Sequence, residues 1–285
     1  MKSTILCGVL FGAMAVNGLS GEPKEGGDRI FSWKTGTFQV YMLVETRGQG
    51  RPGILIGVDD ARLKQYFPDG SYPSETNTFL VRGGGRTVLI DTGFGGALFG
   101  ALDELGVAPA DVDAVLLTHL HGDHTGGLAK DGKALFPKAR VYLARQERAA
   151  AQPNVRQLLA AYGDRVETFE ASPLGPAARE LLPGIKAVAA FGHTPGHTVF
   201  LVENGGEGLI IWGDLMHVQG IQFPLPDTAV TYDSDPAAAR AVRKEILAYA
   251  AERKIPVGGM HLQYPAIGTV EKAGEGFRFI PATQP

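Results

Sequence analysis

Three histidines and an aspartate lie within six residues of one another, directly after a short apolar run. The run is AVLL (residues 114–117), and the segment that follows reads THLHGDHTGG (residues 118–127). A short, fully apolar run is typical of a buried strand, so the polar cluster begins where that strand ends. Imidazole rings beside a buried strand need partners, because an unpaired polar group is costly to bury. The segment therefore predicts a ligand-binding site at the edge of a sheet.

The spacing within this segment suits metal binding. In an extended chain, residues i and i+2 point the same way, so His119 and His121 can hold one ion together. After a turn at Gly122, Asp123 and His124 can face a second position. Imidazole nitrogen and carboxylate oxygen are good ligands for zinc and its neighbours. The alternative is a helix N-terminus that is rich in histidine by coincidence.

Further polar groups follow apolar runs elsewhere in the chain. The segments are GHTPGHT (residues 192–198), WGD (212–214) and MH (260–261). Each comes just after a β-like run and has glycine beside it. This repeated placement is what a single site at one edge of a sheet sandwich requires.

In this order and with these gaps, the four motifs resemble those of the metallo-β-lactamase fold superfamily, over about residues 37–282. The resemblance implies an α+β fold, a four-layer αββα sandwich with a binuclear metal site at one edge. It implies two divalent ions, with zinc expected and manganese, iron or cobalt also suited to such ligands. The implied ligands are His119, His121 and His197 for the first ion, Asp123, His124 and His261 for the second, and Asp214 between the two.

The resemblance also implies a reaction. Two dications close together lower the pKa of a bridging water, so a metal-bridging hydroxide can attack the substrate near neutral pH. Asp123 and Asp214 are then catalytic residues as well as ligands. True β-lactamases of this fold lack a carboxylate bridge, so Asp214 favours a hydrolase of lactones, aryl esters or phosphotriesters. Residues 213–223, 233–235 and 276–281 resemble the exported methyl parathion hydrolase group.

Other functions remain as alternatives. A thioesterase of the glyoxalase II type usually serves a cytosolic thiol substrate, which an export signal disfavours, and a β-lactamase is disfavoured by Asp214. A metal-binding or sensor protein with a vestigial site is a different class. A net charge of −3 without a basic patch disfavours a nucleic-acid partner. We therefore expect a small-molecule substrate, and the exported relatives suggest a homodimer.

Several residues outside the ligand set are candidates for supporting roles. Asp91 is expected to accept an imidazole N–H of a ligand, with a turn-forming aspartate as the alternative. His193 is expected to stabilise the ligand loop without binding metal. His217, three residues after Asp214, is expected near the mouth of the site, where it could contact substrate. Candidates for an apolar pocket wall, with core packing as the alternative, are Phe94, Phe99, Phe223 and Leu225.

The first 20 residues are typical of an export signal. Lys2 precedes the apolar run ILCGVLFG (residues 5–12), and cleavage is expected after Ala15 or Ser20. The run is too short for a bilayer, which needs about 20 residues, so we expect no stable membrane insertion and a periplasmic or secreted location. Cys7, the only cysteine, lies inside this signal. Residues 21–36 are predicted as a flexible lead-in and residues 37–285 as a single domain.

Hydrophobic periodicity predicts a mixture of strands and helices without a regular βαβ alternation. Predicted strands cover residues 38–46, 76–81, 86–90, 114–117, 140–143, 185–190, 199–202, 209–212 and about 269–280. Helices are predicted at 97–105, at 146–162 with a break at Pro153, and at 236–253, with Asp235 as N-cap and Pro236 in the first turn.

Overall fold

The structure is a computed structural model and describes residues 28–283. The predicted export signal lies outside the described residues, as do residues 21–27 of the predicted lead-in. Within the described part of the lead-in, Ile30–Thr35 form a strand that pairs with the next one. The folded domain therefore begins before residue 37, because this edge strand is hydrogen-bonded along its length.

Seven strands form the first sheet, in the spatial order β1-β2-β4-β5-β6-β9-β10. Their bounds are β1 (Ile30–Thr35), β2 (Phe38–Gly50), β4 (Tyr72–Gly83), β5 (Arg86–Ile90), β6 (Ala114–Leu116), β9 (Arg140–Ala144) and β10 (Val166–Phe169). The first four are antiparallel, whereas β5, β6, β9 and β10 run parallel. Parallel neighbours bring their carboxyl ends to the same edge of the sheet, and there the histidine-rich segment follows β6.

Seven more strands form the second sheet, in the order β11-β12-β13-β14-β16-β17-β18. Their bounds are β11 (Glu180–Leu182), β12 (Ile185–Ala189), β13 (Thr198–Asn204), β14 (Glu207–Ile211), β16 (Val257–Gly258), β17 (Ile267–Ala273) and β18 (Gly276–Pro281). Only β14 and β16 pair in parallel; the other neighbours are antiparallel. Two small two-stranded sheets join β3 (Leu55–Ile56) to β15 (Ala229–Val230) and β7 (Ala129–Lys130) to β8 (Lys133–Ala134).

Seven α-helices connect these strands in the described chain. They are α1 (Asp60–Tyr66), α2 (Leu98–Glu104), α3 (Gly122–Thr125), α4 (Arg145–Ala150), α5 (Pro153–Ala160), α6 (Gln219–Gln222) and α7 (Pro236–Arg253). No helix in the part of the chain that the structure describes combines the length and apolar character of a membrane span.

The central strands of the first sheet are buried on both faces, which accounts for their continuous apolar sequence. In β5, Val88 and Ile90 face the core between the two sheets, and Leu89 between them faces the opposite core. That opposite core contains Leu102 of α2 and Leu159 of α5. Helices therefore cover the outer face of the first sheet.

Helix α7 covers the outer face of the second sheet. It buries a stripe at helical spacing that includes Ala239, Ile246 and Ala250, and Ile246 and Ala250 pack in one core cluster with residues of the second sheet. Helices, sheet, sheet and helix thus form four layers. The predicted α+β sandwich is confirmed.

The prediction missed strands β1, β10 and β11 of the two sheets and helix α1, whereas the elements that it named differ mainly in their bounds. Helix α7 has the predicted bounds, and Asp235 accepts hydrogen bonds from Ala237 N–H at 3.1 Å and Ala238 N–H at 3.0 Å. The helical stretch predicted at 146–162 is two helices, α4 and α5, separated at the residues before Pro153. Strand β2 continues to Gly50, because β4 begins at Tyr72 and pairs with it along that length.

Candidate metal centre

Histidines and aspartates from four loops converge at one edge of the sandwich. The loops follow β6, β12, β14 and β16. Three groups of side chains have ligand atoms within 4.8 Å of one another: the first is His119, His121, His193 and Asp214, the second is Asp123, His124 and His261, and a third, which overlaps both, is Asp214, His217 and His261. Six of the seven predicted ligands are therefore together, and the seventh position is taken by His193 in place of His197.

Asp214 belongs to the first group and also faces the second, and its side chain is 2% exposed. Its Oδ1 is 3.0 Å from His124 Nε2 and 3.2 Å from His261 Nε2. Its Oδ2 is 3.5 Å from His119 Nε2 and 3.3 Å from His193 Nε2. One carboxylate thus presents one oxygen to each group, which is the geometry that a bridging ligand needs.

Hydrogen bonds at Nδ1 fix the orientation of four of the rings. His124 Nδ1 lies 2.7 Å from Asp91 Oδ2, and His261 Nδ1 lies 2.9 Å from the Glu75 carbonyl. The other two contacts are between His119 Nδ1 and Thr118 Oγ1, at 3.0 Å, and between His193 Nδ1 and Asp233 Oδ1, at 2.9 Å. Anchoring Nδ1 leaves Nε2 of each ring directed at the shared space.

Several polar atoms that face this space are buried without a hydrogen-bond partner among the described residues. They are Nε2 of His119, His124 and His261, and Oδ1 of Asp214. Burying such atoms unpaired costs about 1–3 kcal/mol each. Because all four converge on one space, and because imidazole and carboxylate are the donor set that zinc prefers, the residues present fit a divalent metal centre.

Ionisable groups in the site lie close enough together to shift one another's pKa values. Burial opposes ionisation of Asp214, but His124, His261 and His119 around it hold the pKa of its carboxyl well below the usual value. Burial lowers the pKa of His217 to about 4. Burial also opposes protonation of His193, yet hydrogen bonds to Asp214 and Asp233 raise its pKa to about 9. The site therefore holds an ionised carboxylate at its centre.

His197 does not point into the site, so the structure contradicts its assignment as a ligand. Its Nδ1 lies 3.0 Å from the Ala190 carbonyl, and its Nε2 accepts a hydrogen bond from the backbone N–H of Asp214 at 2.9 Å. Burial lowers the pKa of His197 to about 3, so the ring is neutral and Nε2 can accept. Gly213 has φ of +56°, and a Cβ there would lie 2.6 Å from His197 Nε2. His197 thus holds the turn that carries Asp214.

His193, which was expected to stabilise the ligand loop without binding metal, lies in the first group of candidate ligands. His193 is buried, and its Nε2 lies 3.1 Å from Nδ1 of His121. Both histidines of the GHTPGHT segment are in the loop between β12 and β13. No local pattern distinguishes them, because the partners that orient them, Asp233 and the Asp214 backbone, come from distant parts of the chain.

An open cleft of about 620 Å³ leads to the site, and His121, Asp123, Asp214 and His261 lie at its floor. Of the predicted pocket residues, Phe94 lines this cleft and is 55% exposed. His217 also lines it, with Nε2 3.0 Å from Asp214 Oδ2 and its ring stacked on His261 at 5.0 Å between centroids.

Three predicted pocket residues pack in the core instead. Phe99 stacks on Phe136 at 5.7 Å, and Phe223 is 2% exposed and lies against Trp212. Leu225 packs against a small apolar cluster below the cleft. Their assignment to the pocket wall is wrong, because position next to a motif in the chain does not place a side chain at the cleft.

The remaining walls of the cleft come from segments that the sequence did not single out. They are the end of β2, the start of β4 and the loop before α7, and they contribute Arg51, Ile54, Tyr72, Ser74 and Tyr232. Tyr232 is 54% exposed. It directly precedes the Asp233-Ser234-Asp235 segment, which is the feature of the sequence analysis that lies nearest to this wall of the cleft.

Comparison with protein families and curated proteins identifies relatives over most of the domain. A model of the metallo-beta-lactamase superfamily matches residues 71–258. The chain is 31% identical over 134 residues to an atrochrysone carboxyl ACP thioesterase of Passalora fulva, covering 46% of this chain and 35% of that protein. It is 30% identical over 197 residues to thioesterase pkgB of Emericella nidulans, covering 66% of this chain and 51% of that protein. The matches thus span about a third to a half of these relatives.

Solved structures match more of the chain. A hydrolase, AbOPH, in the beta lactamase superfamily is 29% identical, with a TM-score of 0.79 over 89% of this chain and 97% of that one. AidC, a dizinc quorum-quenching lactonase in complex with a product, has the same TM-score and coverage at 24% identity. The second likeness concerns the fold alone.

Proposed function

The chain belongs to the metallo-beta-lactamase superfamily. We propose that it is a hydrolase with two divalent metal ions, zinc foremost, that opens lactone, aryl ester or phosphotriester bonds of small molecules. The observation that carries the proposal is the placement of Asp214, with one carboxylate oxygen facing each group of histidines. A single ion would not need both groups.

The proposed ligands follow from this placement. His119, His121 and His193 would hold one ion, and Asp123, His124 and His261 the other, with Asp214 shared between them. Such ions supply Lewis acidity and activate water for attack on a carbonyl carbon or a phosphorus. The set of imidazole and carboxylate ligands supports zinc.

Side chains at the floor of the cleft would bind the substrate and transfer protons. Asp123 is 24% exposed and lies on the cleft side of the second group, where its carboxylate can orient the nucleophile or carry a proton away. His217 shares the floor, and its buried Nδ1 has no hydrogen-bond partner among the described residues. Its Nε2 is held against Asp214. From this position the ring would contact a substrate or a leaving group in the cleft.

The cleft walls favour a substrate with an apolar part. Phe94 and Tyr232 expose aromatic surface at the cleft, and Tyr72 and Ile54 add further apolar area. Apolar pockets with a few convergent polar groups bind uncharged, largely apolar ligands. Lactones, aryl esters and phosphotriesters are uncharged and can carry apolar groups that would pack against these walls.

Thioester hydrolysis is the second candidate, because two of the curated relatives are named thioesterases. The same carbonyl chemistry would serve a thioester, so the site alone does not separate the two. Export of the chain and formation of a homodimer belong to the proposal as well. They rest on the pattern of residues 1–20 and on resemblance to exported hydrolases.

A parallel hydrolysis assay on metal-analysed protein tests the proposal. The panel contains an acyl-homoserine lactone, an aryl ester, a methyl phosphotriester, an acyl thioester and a β-lactam. We expect two metal ions per chain and turnover of the lactone, the aryl ester or the phosphotriester. Substituting Asp214→Asn removes the charge that both ions share, so we expect loss of at least one ion and of most turnover. Fast turnover of the thioester alone would favour the second candidate, and near-normal activity of Asp214→Asn would contradict the bridging role.

A further inference from the structure

Asp233 takes no part in the proposed chemistry, yet its carboxylate is fully shielded from solvent and makes directed contacts. Oδ1 lies 2.9 Å from Nδ1 of His193, and Oδ2 accepts a hydrogen bond from the backbone N–H of Val230 at 3.0 Å. The guanidinium of Arg243 lies 4.0 Å from Oδ2. Each oxygen of the buried carboxylate thus has its own partner.

The contact with His193 determines which ring nitrogen is available. A carboxylate at Nδ1 keeps a proton on that nitrogen, so a metal ion that displaces the other proton would bind at Nε2. Nε2 of His193 is also the nitrogen that faces His121 and Asp214. His197 has a carbonyl at Nδ1 instead, and its Nε2 is used by the backbone.

Arg243 lies beside Asp233 and is itself anchored by backbone carbonyls. Arg243 is a residue of α7 with a buried side chain, and its Nε donates to the Leu215 carbonyl at 2.7 Å. Its Nη1 donates to the carbonyls of Pro226 at 3.0 Å and Thr228 at 2.6 Å. One guanidinium therefore connects α7 to the residue after Asp214 and to the segment that leads to Asp233.

We propose that Asp233, supported by Arg243, is a positioning residue that orients His193 and thereby makes His193 a ligand of the first ion. This inference rests on the proposed binuclear site. It assigns to Asp233 an effect on one ion only, because its contact runs to His193 and not to the second group. A carboxylate that merely completed the loop would stabilise the fold without changing metal affinity.

The test compares Asp233→Asn with Asp227→Asn in the full chain. Asp227 lies on the surface and pairs with Lys244 at 2.6 Å, so the same substitution there serves as a matched control. Zinc affinity is measured by competition with a chromophoric chelator, and the visible spectrum of the cobalt-substituted protein reports the ligand field. Circular dichroism shows that each variant is folded.

We expect Asp233→Asn to weaken one of the two ions by about 10- to 100-fold and to change the cobalt spectrum, while Asp227→Asn matches the wild type. Two wild-type-like affinities and an unchanged spectrum in Asp233→Asn would overturn the inference. Failure of the wild-type protein to bind two ions would instead overturn the proposed function.

A double-mutant cycle with His193→Asn separates a direct effect from a general one. If Asp233 acts through His193, Asp233→Asn should cause little further loss of zinc affinity once His193 is replaced. Additive losses would contradict the inference. Should Asp233→Asn fail to fold, Arg243→Lys is used, which keeps a cation near Asp233 but cannot reach three carbonyls. We then expect a weaker first ion, and wild-type affinity would overturn the supporting role.

Discussion

At the scale of single residues, two histidines in the loop between β12 and β13 have different roles. His193 directs Nε2 at the site, whereas His197 uses both ring nitrogens to hold backbone groups. A histidine that accepts from a buried N–H supports the fold, because removing it leaves that N–H without a partner. The two side chains are four residues apart, so their difference arises from the groups that surround them.

Substitution of each histidine by asparagine should therefore have distinct consequences. We expect His193→Asn to retain one ion and, when metal-free, to lose the stability that the contacts of His193 with Asp233 and Asp214 contribute. His197→Asn should bind both ions at saturating zinc but lose about 1–3 kcal/mol of folding free energy. Metal content after dialysis and denaturant unfolding of the metal-free proteins measure the two effects. The reverse pattern of metal content would restore His197 as the ligand.

At the scale of elements, α7 links the outer layer to the site. Its first turn follows directly on the segment that carries Asp233, and Gly192 of the ligand loop approaches it closely. A Cβ at Gly192 would lie 2.3 Å from the backbone nitrogen of Ala239. The start of this helix therefore sets where the loop that carries His193 can lie.

The N-cap of α7 offers a prediction at this scale. Asp235 satisfies two backbone N–H groups of the first turn. Asp235→Ala should lower the free energy of unfolding by about 1 kcal/mol, whereas Asp235→Ser, which can still cap, should lose less. Urea denaturation measures both variants. Equal stability of the alanine variant and the wild type would show that Pro236 and packing define the helix start without the cap.

At the scale of the whole molecule, the site joins the two sheets. The group Asp123, His124 and His261 already combines the loop after β6 of the first sheet with the loop after β16 of the second. His193 and Asp214 add the loops after β12 and β14. Ions bound there would connect both layers, and an unfolded chain would not offer the same arrangement.

Metal removal should therefore destabilise the entire domain. A ligand that binds only the folded state adds about 2.7 kcal/mol at a free concentration of 100 times Kd, which corresponds to roughly 5–10 °C in Tm for each ion in a domain of this size. Calorimetry with chelator and with added zinc measures the shift. The Asp214→Asn variant should show a smaller one, and a Tm independent of metal would contradict the proposed site.

The layers and the set of chemical groups at the site follow from patterns that are local in the sequence. Alternating and continuous apolar runs specify strands that are buried on one or both faces, and the polar motifs follow those strands directly, so their meeting at one edge was predictable. Helix α7 was predicted with its cap and bounds because Asp235 and Pro236 act locally. These features depend on neighbours in the chain.

Which of His193 and His197 directs its Nε2 at the site, and which residues form the walls of the cleft, depend on the three-dimensional arrangement of the chain. His193 is selected by Asp233, which lies 40 residues further along the chain. Phe99 and Phe223 follow motif segments but turn into the core, while Arg51 and Tyr232 reach the cleft from distant loops. The physical reason is the same in each case. Ring orientation and exposure depend on contacts between segments far apart in sequence, and local periodicity carries no information about those contacts.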